Sequence, residues 1–299
     1  MKPFSIAGIQ LSVSSNGDNL GNMEKLAAYI KRRYPWVDML LFPELCVFGV
    51  DKGKAIDMPG EVEGRLCALA AAHSVWLVPG SLYEKKGGKI FNTSPVINPV
   101  GKVVARFRKM FPFLPFEVSV AAGTEFVVFD VAGAGRIGIS ICYDMWFPET
   151  TRHLAAMGAE VILHPTLTDT IDRDIELSIV KASAATNQCY FFDINSVGDG
   201  GCGRSIVVDP AGYVLHEADS SAQIIPIEID FAKVRRERER GIRGLGQPLK
   251  SFRDRAVSFS VYEKSEAANA YLNSLGPLVK PASALGHGND ERTDSNERR

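Results

Sequence analysis

Residues 136–166 read RIGISICYDMWFPETTRHLAAMGAEVILHPT. RIGISIC is an apolar run of strand length. YDMWFPETTRHLAAMG then reads as a tight turn and a helix over 150–157, with Asp144 or Thr150 as its cap and Glu149 in its first turn. EVILHP is a second apolar run. Working outward, runs at 4–13, 39–42, 75–78, 126–131, 137–141, 161–163, 190–194, 206–208 and 224–229 read as strands, several buried on both faces. Residues 22–33, 63–73 and 173–187 read as further helices. Hairpin or turn chemistry marks 92–102 (NTSPVINPVGK) and 209–213 (DPAGY), where Pro sets φ and Gly supplies positive φ. Strand–helix units mixed with hairpins predict a layered α/β protein with helices covering sheet faces.

The chain has 299 residues, 45% hydrophobic and 23% charged, so wholesale disorder is excluded. With 34 Lys+Arg against 35 Asp+Glu, it lacks the basic excess that nucleic-acid binding needs. No apolar run approaches the ~20 residues that span a bilayer. The N-terminus has no secretory leader pattern, which predicts a cytoplasmic protein. Five cysteines, at 46, 67, 142, 189 and 202, show no C-x-x-C spacing, which weakens both a disulfide framework and a structural zinc site. KVRRERERGIRG (233–244) alternates in sign and reads as a solvated helix face. The expected division is a single domain over 1–262 and a tail over 263–299, partly disordered or docking onto a second copy.

Cys142 differs from the other cysteines because it closes an apolar run at a strand-to-helix turn. Such a turn can present a nucleophile, and its backbone N–H groups can lower a thiol pKa and bind an oxyanion. Simple packing of a buried thiol is the competing reading. None of the histidines forms an evident pair with it; His164, ending a strand in HPTLT, could face a site or be structural. Carboxylates fit better as a base. Glu44 follows MLLFP at the carboxyl end of a strand, where ligands gather in α/β sheets. Its apolar neighbours Phe42, Leu45 and Phe48 would raise its pKa toward that of a general base. Lys109, among Phe107, Phe111 and Phe113, could offer a fixed charge to an oxyanion. Glu117 is a candidate second carboxylate in the same cavity.

Taken together, LLFPEL, RKMFPF and GISICYDMWFPE, in that order, resemble the Glu–Lys–Cys signature of the nitrilase superfamily of carbon–nitrogen hydrolases. The flanks AGIQLSV, NTSPVINPVGKVVARFRK, GAEVILHPT, TNQCYFFDIN and SIVVDPAGYVL extend the resemblance over residues 4–262. It implies a four-layer α-β-β-α sandwich that pairs into a homodimer or larger assembly. It also implies a thiol amidase with no cofactor and no metal, releasing ammonia from a small amide through a thioester. Cys142 would be the nucleophile, Glu44 the general base, and Lys109 with the backbone N–H of Tyr143 the oxyanion donors. Glu117 would position substrate, with Trp146, His164 and Thr166 around the pocket.

Several positions depart from the family pattern. Phe111 stands where many relatives have His. Thr186 replaces the Glu of a common Arg-Ala-x-Glu-Asn helix, which predicts an altered helix contact. C-Y-D at 142–144 favours amides over nitriles, and Met145 and Trp146 stand where carbamoylases often carry Arg. An N-carbamoyl amide hydrolase and nitrile hydrolysis are the enzyme alternatives. An inactive scaffold is the non-enzyme alternative, and Cys46 is the only candidate resolving thiol for a redox role.

Overall fold

The computed structural model describes residues 3–263 and 265–280. They divide into a larger unit, residues up to Pro112 and Ser119–Val257, and a smaller one, Phe113–Val118 with residues from Ser258 onward.

In the larger unit the first sheet runs Gln223–Ile229, Phe4–Gln10, Met39–Leu41, Trp76–Val78, Lys89–Ile97, Leu82–Lys86, Ile56–Asp57. Val103–Arg108 and Val120–Ala121 also pair with Lys89–Ile97. Its centre is parallel, with Ile6 opposite Met39 and Met39 opposite Trp76. The second sheet runs Val127–Val131, Gly135–Ile139, Val161–Pro165, Tyr190–Ile194, Ile206–Val208, Val214–Glu217. It too is parallel at its centre, where Ile137, Val161 and Tyr190 align.

Period-two alternation builds the layers. Phe4, Ile6, Met39 and Leu41 point from the first sheet into a shared core with Ile137, Ile139, Val161, Leu163 and Phe192 of the second. The intervening residues Ala7, Ile9 and Leu40 point outward onto helices α1 (Asn19–Arg33) and α2 (Glu61–His73). On α1, Leu20, Met23, Ala27 and Ile30 recur at helical spacing and form its buried stripe. On the far side, Ile162, Phe191 and Ile206 pack on α3 (Pro148–Ala156) and α4 (Asp172–Asn187) through Leu154, Leu177, Val180 and Ala184. The result is the expected α-β-β-α order.

Three local expectations change. The run 4–13 breaks into Phe4–Gln10 and Ser12–Val13, because Ser12 and Val13 leave to pair with Val197 and Gly198. Neither Asp144 nor Thr150 caps α3; Phe147 precedes it without a side-chain cap and Pro148 opens it. The charged run forms α5 (Phe231–Arg240), which is tied down as well as solvated. Arg235 pairs with Glu160 at 2.7 Å, Lys233 pairs with Asp209, and Arg238 donates to the carbonyls of Ala159 and Gln188.

The last helix of the larger unit is α6 (Pro248–Asp254), and the smaller unit carries α7 (Glu266–Ser274). The tail expectation for residues 281–299 lies outside the described residues. Leu163 has no exposed surface and sits between the sheets. Leu163→Ala is expected to cost about 2–5 kcal/mol in urea unfolding; a loss below about 1 kcal/mol would contradict this core assignment.

Candidate active site

Glu44, Cys142 and Thr166 each lie just beyond the carboxyl end of a parallel strand, Met39–Leu41, Gly135–Ile139 and Val161–Pro165 respectively. Both the glutamate and cysteine turns use left-handed backbone. Leu45, after Glu44, has φ +50°, and Cys142 itself has φ +47°. For a side-chain-bearing residue that conformation costs roughly 1–2 kcal/mol, a strain found at nucleophile turns. The turns are held by specific bonds: Leu45 N–H donates to Ser81 Oγ at 3.1 Å, and Glu44 N–H to the Thr166 carbonyl at 3.3 Å. The latter joins loops from opposite sheets.

Lys109 follows the strand Val103–Arg108, with its N–H on the Asn92 carbonyl and its carbonyl on Gly123 N–H, both at 2.8 Å. Its side chain is only 2% exposed, as is that of Glu44. Lys109 Nζ donates to Glu44 Oε1 at 3.0 Å, and Asn92 Nδ2 donates to the same oxygen at 2.7 Å. Cys142 completes the group, for its thiol feels both the Glu44 carboxylate and the Lys109 ammonium. Burial pushes the thiol well above its usual range. The Glu44 charge raises it further, Lys109 opposes, Glu176 raises it and the Thr166 hydroxyl lowers it. The expected lowering by turn N–H groups is therefore outweighed by desolvation, and the resting thiol keeps its proton.

The other candidates take different places. Tyr143 and Trp146 lie with Cys142 on the short 3-10 helix Cys142–Trp146, and the Tyr143 ring meets Phe147 edge-on. Trp146 Nε1 approaches Glu176 Oε1 at 3.5 Å. His164 is fully buried, and its ring bonds Ser140 Oγ at 2.7 Å. Burial and the Arg173 charge push it down to about 3, so it is a neutral group behind the cysteine turn. Glu117 belongs to the smaller unit, where its carboxylate accepts from Phe113 N–H at 2.6 Å. Cys46 donates its thiol to the Pro79 carbonyl, and burial raises its pKa, which removes the thiolate a redox partner needs. Thr186 bonds back to the Ala182 carbonyl on an exposed face of α4.

Sequence reasoning missed Asn92 and the buried charges on α4. Arg173 bridges Glu176 at 3.1 Å and Asp193 at 2.7 Å, and Glu176 also accepts from the Thr168 hydroxyl at 3.0 Å. The available signal was charge at 173 and 176 in register with apolar Leu177 and Val180 on one helix face. Among the described residues, no group of three or more His, Cys, Asp or Glu is arranged to hold a metal.

The carbon-nitrogen hydrolase family model matches residues 5–239. The chain belongs to that family. It is 29% identical over 247 residues to the 2-oxoglutaramate amidase of Bacillus subtilis, covering 79% of this chain and 94% of that one. It is 30% identical over 255 residues to the omega-amidase NIT3 of Saccharomyces cerevisiae, covering 76% and 87%. The crystal structure of yeast Nit3, a member of branch 10 of the nitrilase superfamily, superposes with a TM-score of 0.72 at 26% identity, covering 80% of this chain and 94% of that one. The mixed α/β sandwich is thus the nitrilase-superfamily fold.

A neutral buried histidine also sets an acid limit on this carbon–nitrogen hydrolase. The unfolded ring binds a proton below about pH 6.5, whereas the folded ring stays neutral down to about 3. Between those values the unfolded state holds the extra proton, so stability is lost as pH falls, by up to about 1.4 kcal/mol per pH unit. Comparing unfolding free energies at pH 4.5 and 6.5, His164→Asn is expected to show a shallower acid loss than the wild type. Equal slopes would contradict the depressed titration.

Proposed function

We propose that this chain hydrolyses the carbon–nitrogen bond of a small amide, releasing ammonia and a carboxylic acid through a thioester on Cys142. Family membership and amidase relatives support the reaction class, and the buried Glu44–Lys109 pair beside a protonated thiol supports the roles. That pair is the observation that carries the reading. A thiol raised by burial cannot attack as a standing thiolate, so it needs a base in contact range as it reacts.

Glu44 takes the Cys142 proton as sulfur bonds to the amide carbon. The carbonyl oxygen becomes an oxyanion, facing Lys109 Nζ and the Tyr143 backbone N–H. A fixed ammonium in a dry site favours that charge over the neutral ground state. The oxyanion collapses, the C–N bond breaks and ammonia leaves with the proton Glu44 held. Water then attacks the thioester while Glu44 accepts its proton; the acid departs and sulfur regains a proton. Glu117 as a substrate-positioning group, Trp146 and Thr166 as pocket walls, and a homodimer in the cytoplasm complete the proposal. Support for pairing is the exposure of Phe252, Val257, Phe259, Val261 and Tyr262. Support for a reducing compartment is that all five cysteines are free. Among the described residues no helix is long and apolar enough to cross a membrane.

Ammonia release should be followed across small neutral amides, ω-amides bearing a carboxylate, carbamoyl compounds and nitriles. Amide turnover is expected in the wild type and none in Cys142→Ala, whose circular dichroism should match the wild type. Retained turnover in Cys142→Ala, or turnover of nitriles alone, would overturn the reading. For Lys109→Ala, kcat is expected to fall about 10²–10³-fold, with EDTA without effect and Lys109→Arg no rescue, because a planar fork does not replace a point charge. An unchanged kcat in either variant contradicts the oxyanion role.

A further inference from the structure

Asp144 has no exposed surface and lies two residues beyond the nucleophile, yet it does not cap the helix that follows. Its carboxylate instead gathers backbone donors from two segments, one three residues before it and the other 33 and 34 residues away in the chain. Oδ2 accepts from Ile141 N–H at 2.9 Å, just before Cys142. Oδ1 accepts from Phe111 N–H at 2.8 Å and from Met110 N–H at 3.1 Å, just after Lys109. These two N–H groups lie past the end of the strand Val103–Arg108, where ladder pairing has stopped. A buried N–H needs an acceptor, and one carboxylate supplies it to both segments.

Two further contacts hold the carboxylate and its partners in register. The Thr150 hydroxyl, on α3, donates to the Asp144 carbonyl at 2.7 Å. The Phe111 ring stacks on Phe147, with centroids 3.6 Å apart and planes 14° apart. Both segments are therefore joined by a polar and an aromatic tie.

We propose that Asp144 is a positioning residue that sets the placement of Lys109 relative to Cys142 by clamping the backbone after the lysine to the backbone before the cysteine. This rests on the triad reading above. An oxyanion forms on the substrate carbon that sulfur attacks, so its distance from Nζ is governed by the lysine–cysteine spacing. An error of about 1 Å in such a spacing can cost ~10²-fold in rate. The residue touches neither substrate nor sulfur; it acts through the backbone on either side. Burial pushes its carboxyl up to about 7, opposed by the bonds from Ile141 and Phe111 and by the Lys109 charge, with Glu44 adding to the rise. Assays at pH 8.5 keep it ionised.

Asp144→Asn preserves shape but turns one acceptor oxygen into an N–H₂ facing backbone donors, so one segment loses its partner. On the amide that the wild type hydrolyses, kcat is expected to fall about 10–100-fold while KM stays within about threefold. Alkylation of Cys142 by iodoacetamide needs no oxyanion donor and is expected to stay within about threefold of wild type. A general collapse of the turn would depress alkylation as well, so a parallel fall in both rates overturns the proposal. So does a kcat within about threefold of wild type. If Asp144→Asn does not fold, Asp144→Ser, with a hydroxyl near Ile141 and too short to reach Phe111, is read in the same way. Cys142→Ala run alongside separates the outcomes: retained turnover there sinks the triad reading, whereas its loss with an unaffected Asp144→Asn sinks only the clamp.

Discussion

A carboxylate and an ammonium 3.0 Å apart, each only 2% exposed, are the constraint around which this structure is organised. Taking either charge out of water alone carries a penalty of several kcal/mol, which their attraction offsets only when the geometry is fixed and the remaining donors and acceptors are satisfied. Removing one partner of such a pair typically destabilises by about 3–5 kcal/mol, because the other is left buried and unmatched. Here Asn92 supplies an additional donor to the same glutamate oxygen, and the peptide groups of Lys109 are bonded to Asn92 and Gly123. The pair is thus held by the first sheet before any substrate arrives.

The second sheet brings the thiol. Parallel centres in both sheets put their carboxyl ends, and so their loops, within reach of one site. The Glu44-to-Thr166 peptide bond couples a loop of one sheet to a loop of the other. His164 and Ser140 fill the space behind the cysteine turn, while Glu176, Thr168 and Arg173 buttress Trp146. Burial then does two things at once: it strengthens the field of the lysine and pushes the thiol well above its usual range, the state for which the proposed base role of Glu44 is framed.

Much of this was legible in the sequence. Buried parallel strands such as MLL, VILHP and YFFDI announce themselves as apolar runs, and α1 to α4 follow from periodicity within two or three residues of their ends, whereas α6 and α7, which have no buried residue, were not read as helices. Leu82–Lys86 escaped detection because three of its five residues are charged, the buried Glu84 among them, and Val103–Arg108 because it is mostly half-exposed, so that LYEKK and VVARFR read as mixed and charged. Glu44, Lys109 and Cys142 could be singled out as candidates because LLFPEL, RKMFPF and GISICYDMWFPE stand in the order of the family signature, each beside an apolar or aromatic run. Asn92 and Glu176 could not, since their importance comes from partners far along the chain. Asp144 was misjudged for the same reason: as a local cap it was plausible, and its donors 33 and 34 residues away are a product of tertiary folding.

The proposed chemistry requires a covalent acyl group on Cys142, formed as Glu44 accepts the thiol proton. The most direct measurement is intact mass spectrometry with peptide mapping after rapid acid quench, mixing the enzyme with the amide it hydrolyses fastest. A mass gain equal to the acyl group, mapped to the peptide carrying Cys142 and absent from Cys142→Ala, is the expected result. Amide turnover with no adduct in the wild type under burst conditions, or an adduct on another residue, would contradict it.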